Sequence, residues 1–238
     1  MHRVFLRKIA LLIVTGVVVL ACKTQKKNVA ASQTYSYLAL GDSYTIGESV
    51  CDTCTYAHQL VDSLQQTTNK KIDLKIIATT GWTTTDLLSA IDKEPPASNY
   101  DFVTLLIGVN NQYQKKDFSL YEKEFPILLN KAIAFAQGNT KKVVVLSIPD
   151  YAYTPFGKGR PNATSISEEL DNYNRFAEVT SERLGVTFLQ ITDITRKGLE
   201  QPSLVASDGL HPSKEAYHQF VKRLFNEAKK STRLTLGG

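Results

Sequence analysis

Five short apolar runs, at positions 35–41, 73–78, 101–107, 142–147 and 186–191, alternate with segments of helical periodicity, and that alternation leaves few architectures open. Tyr35, Tyr37, Leu38 and Leu40 in the first run, DFVTLLI in the third and KVVVLS in the fourth lack a continuous polar face, as strands covered on both sides do. Between the runs, Leu60, Val61 and Leu64 share one helical face. Thr83 with Asp86, Ser119 with Glu122 and Ser165 with Glu168 read as capping boxes, and Gly138 and Gly185 as helix stops. Strands joined through helices pair in parallel, so the pattern predicts an α/β domain with helices on both faces of a five-stranded parallel sheet. The chain carries no internal repeat and no sign of a second domain.

The first run ends abruptly in YSYLALGDSYTIG, where Gly41-Asp42-Ser43 supplies turn residues and sets a hydroxyl at the carboxyl end of a strand. Open α/β sheets bind their ligands at such ends. Gly-Asp-Ser is also an ordinary turn tripeptide, so the far end of the chain matters: SDGLHP places Asp208 three residues before His211. A serine is a poor nucleophile unless a base takes its proton, and an imidazole serves as that base when a third group fixes its tautomer and orientation. Ser43, His211 and Asp208 are therefore the candidate nucleophile, base and orienting carboxylate. His2 falls in the N-terminal segment, and His58 and His218 fall in predicted helices, where exposure or packing accounts for them.

With these residues in view, the chain resembles the SGNH, or GDSL-type, hydrolases, a group of esterases and lipases. Four blocks match in order: GDSY with Ser43, ATTGW with Gly81, GVNN with Asn110, and DGLHP with Asp208 and His211. The resemblance implies a three-layer α/β/α flavodoxin-like fold with strand order 2-1-3-4-5. It also implies an oxyanion hole formed by the Ser43 and Gly81 amides and the Asn110 side chain. Gly81 stands just before a predicted helix start, where free backbone N–H groups favour an anion. The residue after the block-three asparagine is commonly Asp in this family and is Asn111 here, which puts a supporting hydrogen bond in question but not the triad.

The first twenty-one residues have a basic start (Arg3, Arg7, Lys8) and an apolar stretch from Ile9 to Leu20, shorter than a bilayer span. They read as a signal peptide. Val19-Leu20-Ala21-Cys22 resembles a bacterial lipobox, which implies cleavage before Cys22, lipidation of Cys22 and an exported protein lipid-anchored to the cell envelope. A plain signal peptide or a tethering helix is the alternative. Residues 22–33 read as a flexible polar tether and 34–238 as the hydrolase domain. Without the three basic residues of the signal, the excess of Lys and Arg over Asp and Glu falls from five to two, and no arginine or aromatic clustering points to nucleic acid. Cys51 and Cys54 form a C-x-x-C pair. In an exported protein a local disulfide is the default over free thiols, and a zinc site lacks enough ligands, since His58 makes only a third.

The chemistry expected is acyl transfer from an ester to water, with no metal and no cofactor. The substrate is a small-molecule or glycan ester, with short acyl groups on carbohydrate favoured. A lysophospholipase or thioesterase acting on lipids, and a non-catalytic carbohydrate-binding envelope lipoprotein, are the rivals.

Overall fold

The computed structural model of the protein describes residues 34–68, 70–161 and 163–234; the signal, tether and Cys22 readings fall outside them. Five strands, β1 (Tyr35–Gly41), β2 (Ile72–Ala78), β3 (Phe102–Leu106), β4 (Val143–Leu146) and β5 (Thr187–Leu189), form one sheet in the order β2-β1-β3-β4-β5. Every neighbouring pair is parallel. From β1 the chain moves one way to β2, then crosses back over β1 to β3 and continues to β5. Right-handed crossovers with that reversal separate the helices into two layers. Helices α2 (Tyr56–Thr68) and α9 (Lys214–Leu234) pack on each other, while α5 (Phe118–Phe135) packs against both α3 (Thr84–Lys93) and α7 (Ala163–Arg183). The reversal also opens a crevice between the carboxyl ends of β1 and β3.

Strands β3 and β4 are buried throughout, whereas the edge strands β2 and β5 are largely half-buried. A chain of buried hydroxyls runs through the core towards the crevice: Tyr37 OH and Tyr56 OH both reach Thr104 Oγ1, at 2.9 and 3.3 Å, and Tyr56 OH reaches Thr45 Oγ1 at 3.3 Å. Thr45 belongs to the one-turn helix α1 (Ser43–Ile46), so this chain ties the segment carrying Ser43 to the sheet. Gly41 permits the tight exit from β1, because a Cβ there would lie 2.1 Å from Thr45 Oγ1 and 2.3 Å from the Leu106 carbonyl oxygen.

Several local expectations need correction. After β3 the chain forms a short helix, α4 (Val109–Tyr113), where the adjacent asparagines predict a plain turn. The cap of α5 is Asp117, whose side chain accepts from Ser119 N, so the cap lies two residues before the Ser119 of the expected box. Ser165 lies inside α7, which already begins at Ala163. The segment after β4 holds a 3-10 turn at Tyr151–Tyr153, capped by the side chain of Asp150, and a helix, α6 (Pro155–Lys158), capped by that of Thr154. β5 is three residues long, because beyond Leu189 the N–H groups of Ile191 and Thr192, the latter opening α8 (Thr192–Thr195), turn to Ser147 Oγ.

Candidate active site

The sheet register sets the site. Gly41 of β1 lies beside Ala78 of β2 and Leu106 of β3, so Ser43, Gly81 and Asn110, two, three and four residues further on, leave three adjacent strand ends at the same edge. Ser43 opens α1 and is 5% exposed. Asp42 caps that helix, its Oδ1 accepting from Tyr44 N at 3.0 Å.

His211 and Asp208 arrive from the segment after β5. That loop is closed by an antiparallel bridge between Val205 and Pro212 and by the bond from Ala206 N to His211 O, 2.8 Å. Asp208 Oδ1 accepts the backbone N–H groups of Leu210 and His211 at 2.9 and 3.0 Å, and its Oδ2 lies 2.5 Å from His211 Nδ1 and accepts from Ser49 Oγ at 2.8 Å. Partial burial alone raises the Asp208 carboxyl, but these hydrogen bonds, led by the one from His211, outweigh it and hold it at about 2. The carboxylate is therefore ionised at neutral pH and must accept from Nδ1–H, which leaves the lone pair of neutral His211 on Nε2.

The neighbours of Ser43 meet this loop on two sides. The Tyr44 ring stands edge-on to His211 with centroids 5.7 Å apart, and Ser49, just beyond α1, holds Asp208. Among the described residues Ser43 Oγ has no hydrogen-bond partner, and in unliganded enzymes catalytic hydrogen bonds are often longer than with substrate bound. The Cys51–Cys54 disulfide closes the 3-10 turn that follows Ser49.

The donors expected to form the oxyanion hole are not fully engaged by other acceptors. Among the described residues the N–H groups of Ser43 and Gly81 have no acceptor, and Gly81 adopts φ +85°, its carbonyl turned to Gln114 Nε2 at 2.9 Å. Asn110 Nδ2 donates one hydrogen to Trp82 O at 3.0 Å, which orients the amide and leaves its second hydrogen unspent. No cluster of His, Cys, Asp or Glu among the described residues is arranged to hold a metal ion.

Asn111 is fully buried and clamps α4 to the start of α3. Its Oδ1 accepts from Thr84 N at 3.0 Å and its Nδ2 donates to Thr84 Oγ1 at 2.7 Å, while the Thr84 hydroxyl hydrogen goes on to Glu124. One hydroxyl has one hydrogen, so a carboxylate at 111 would compete with Glu124 for it and leave a buried charge short of a donor. Asn111→Asp is expected to lose about 2 to 3 kcal/mol of stability near neutral pH, and less in mild acid, where the introduced carboxyl takes up a proton and can donate to Thr84. Urea unfolding at two pH values measures this; an unchanged midpoint at both would contradict the donor assignment.

Asp42 is fully buried with Oδ2 unpartnered. Burial, partly offset by backbone N–H groups of Tyr44, Asp42 and Gly108, pushes its carboxyl up to about 7 from 3.8. Between those values the folded protein holds a proton that the unfolded chain has lost, so this group makes stability fall as pH rises. The stability of the wild type relative to Asp42→Asn is expected to decrease from about pH 4.5 to about pH 7.5, read by denaturant unfolding. A difference independent of pH would mean that Asp42 is ionised throughout.

Sequence reasoning missed Ser49, Thr84, Glu124 and Gln112 as supports of the site. Ser49 and Asp208 are 159 residues apart, and Thr84 and Glu124 are 40 apart, with no local pattern to announce either contact.

The GDSL-like lipase/acylhydrolase family model matches residues 39–219, a span that contains Ser43, Gly81, Asn110, Asp208 and His211. No curated protein matches the chain. Among solved structures it is similar to an acetylxylan esterase from Geobacillus stearothermophilus, at 20% identity over 82% of this chain and 94% of that one, with a TM-score of 0.60. A lipase/acylhydrolase from Enterococcus faecalis is similar at 18% identity over 82% and 96%, with a TM-score of 0.63. TesA is similar at 16% identity over 82% and 99%, with a TM-score of 0.61. At these identities the likeness establishes the shared fold.

Proposed function

The chain belongs to the GDSL-like lipase/acylhydrolase family, and from that premise we propose that it is a serine esterase that removes short acyl groups from carbohydrate. The observation that carries this reading is the Asp208–His211 pair, set by its own loop beside the Ser43 turn at the β1–β3 crevice. Ser43 Oγ attacks the ester carbonyl carbon as its proton passes to His211 Nε2, and ionised Asp208 stabilises the imidazolium through Nδ1–H. The tetrahedral oxyanion accepts from the Ser43 and Gly81 amides and the Asn110 side chain. Collapse breaks the bond to the alkoxy oxygen, which leaves as the alcohol with the proton from Nε2. Water then repeats the sequence on the acyl-serine and releases the acid.

The similarity to an acetylxylan esterase supports an acetyl group on a sugar as the substrate. Hydrolysis of an acetylated xylo-oligosaccharide and of 4-nitrophenyl esters of rising chain length tests it. The reading expects kcat/KM to be highest for acetyl and to fall as the chain grows; a maximum at long acyl chains would favour a lipid hydrolase, and no turnover of any ester would favour a binding protein.

The domain plan proposed with it is a signal peptide at 1–21, a tether at 22–33 and the hydrolase domain at 34–238. Lipidation at Cys22 then anchors the enzyme to the cell envelope. The support is the sequence pattern of basic start, short apolar stretch and Val-Leu-Ala before Cys22. The mass of the mature N-terminus from a lipoprotein-processing host decides this; an unmodified chain beginning at Met1 would contradict it.

A further inference from the structure

Beside the candidate active site lies a groove of about 470 Å³ whose walls include Tyr113, Lys115, Lys116, Tyr151, Arg160 and Glu169. Its volume falls within the range of small-ligand sites, ~300 to 1,000 Å³. Two features join it to the catalytic edge. Tyr113 and Asn110 share the five-residue helix α4, three residues apart, so one wall of the groove and the candidate oxyanion donor belong to the same short helix. Tyr151 also lines the narrow cleft that contains Tyr44 and His211.

The charge of the groove is one-sided. Its single lining carboxylate, Glu169, accepts from Gln112 Nε2 at 2.6 Å, and Gln112 Oε1 in turn accepts from Tyr151 OH at 2.8 Å. Among the described residues none of Lys115, Lys116 and Arg160 has a carboxylate within 4.0 Å. The Arg160 guanidinium and the backbone that carries the two lysines are held in place. Arg160 lies over the rings of Phe156 and Tyr113, 4.5 and 5.1 Å from their centroids, and donates to Tyr113 OH at 3.2 Å. Lys115 takes the left-handed backbone, φ +54°, uncommon for lysine, and the N–H groups of Lys115 and Lys116 are fastened to the carbonyls of Gln112 and Asn111. Tyr113 remains 45% exposed, an apolar face for a sugar ring beside these charges.

We propose that this groove binds a carboxylate-bearing sugar attached to the ester being cleaved, so that the preferred substrate is an acylated acidic saccharide. This rests on the esterase reading and names its substrate class. Arg160 receives the carboxylate, its planar guanidinium matching the two oxygens, and the lysines strengthen the attraction without fixed geometry.

The test compares an O-acetylated methyl glucuronoside with its neutral methyl ester. At low ionic strength kcat/KM is expected to favour the charged substrate at least tenfold, chiefly through KM, and the preference should shrink in salt. In Arg160→Ala/Lys116→Ala, checked for wild-type circular dichroism, the charged-to-neutral ratio should fall towards one. Equal rates in the wild type, or a ratio unmoved in the variant, would overturn the acidic subsite while leaving the esterase intact. Should neither ester nor 4-nitrophenyl acetate be turned over, the esterase reading fails, and calorimetric titration with the deacetylated glucuronoside and its neutral ester decides the groove separately. Tighter binding of the charged sugar that disappears in the variant upholds it; equal binding overturns it.

Discussion

Ser43→Ala is expected to lower kcat by roughly 10⁴- to 10⁶-fold, and adding His211→Ala to it should cost almost nothing more. The imidazole serves one purpose in this account, to take the proton of Ser43 and return it to the leaving alcohol. Once the nucleophile is gone that task is gone, so the two losses overlap and do not add. The geometry makes the coupling specific: Asp208 Oδ2 at 2.5 Å from His211 Nδ1 fixes the tautomer that leaves Nε2 as the acceptor. Losses that added in free energy would mean that the two residues act in separate steps. Circular dichroism and thermal unfolding of each variant separate lost chemistry from lost folding, a necessary control because both residues are largely buried.

Asn110→Ala should reduce kcat by roughly 10² to 10³, about 3 to 4 kcal/mol, with little change in KM for a simple ester. In the proposed mechanism its second N–H meets charge that exists only in the transition state, so its removal should raise the barrier without weakening ground-state binding. The bond to Trp82 O holds the amide before substrate arrives, which is why the donor acts without reorganising. Steady-state kinetics with a 4-nitrophenyl ester checks this. A raised KM with kcat spared would instead make Asn110 a substrate-orienting residue.

Much of the fold was legible because it rests on patterns that repeat: continuously apolar strands, helical periodicity between them, and glycine turns at strand ends. The Thr83–Asp86 capping box was readable for the same reason, since both partners lie within one turn. Strand order was not readable from spacing and came from the resemblance. Where expectation failed, a distant partner outweighed a local preference. Two adjacent asparagines favour a turn, yet α4 forms there, and Asn111 joins Thr84, 27 residues away. Ser165 and Glu168 match a capping pattern, but α7 already begins at Ala163, so Ser165 falls within the helix. Among the site residues, the Asp-x-x-His spacing was local and legible, whereas the Ser49 bond to Asp208 depends on how the first and last loops meet. The role of Asn111 was also hidden, because it follows from the single hydrogen of the Thr84 hydroxyl and the claim of Glu124 on it.

Activation of Ser43 as a nucleophile is read directly by a fluorophosphonate probe, which phosphonylates serines whose hydroxyl is deprotonated by a neighbouring base. Mass mapping of the folded protein should find one adduct, on Ser43, and labelling should be lost in His211→Ala although Ser43 is still present. An adduct on another residue, undiminished labelling of Ser43 without His211, or no labelling of a fully folded protein would mean that Ser43 is not a nucleophile activated by His211.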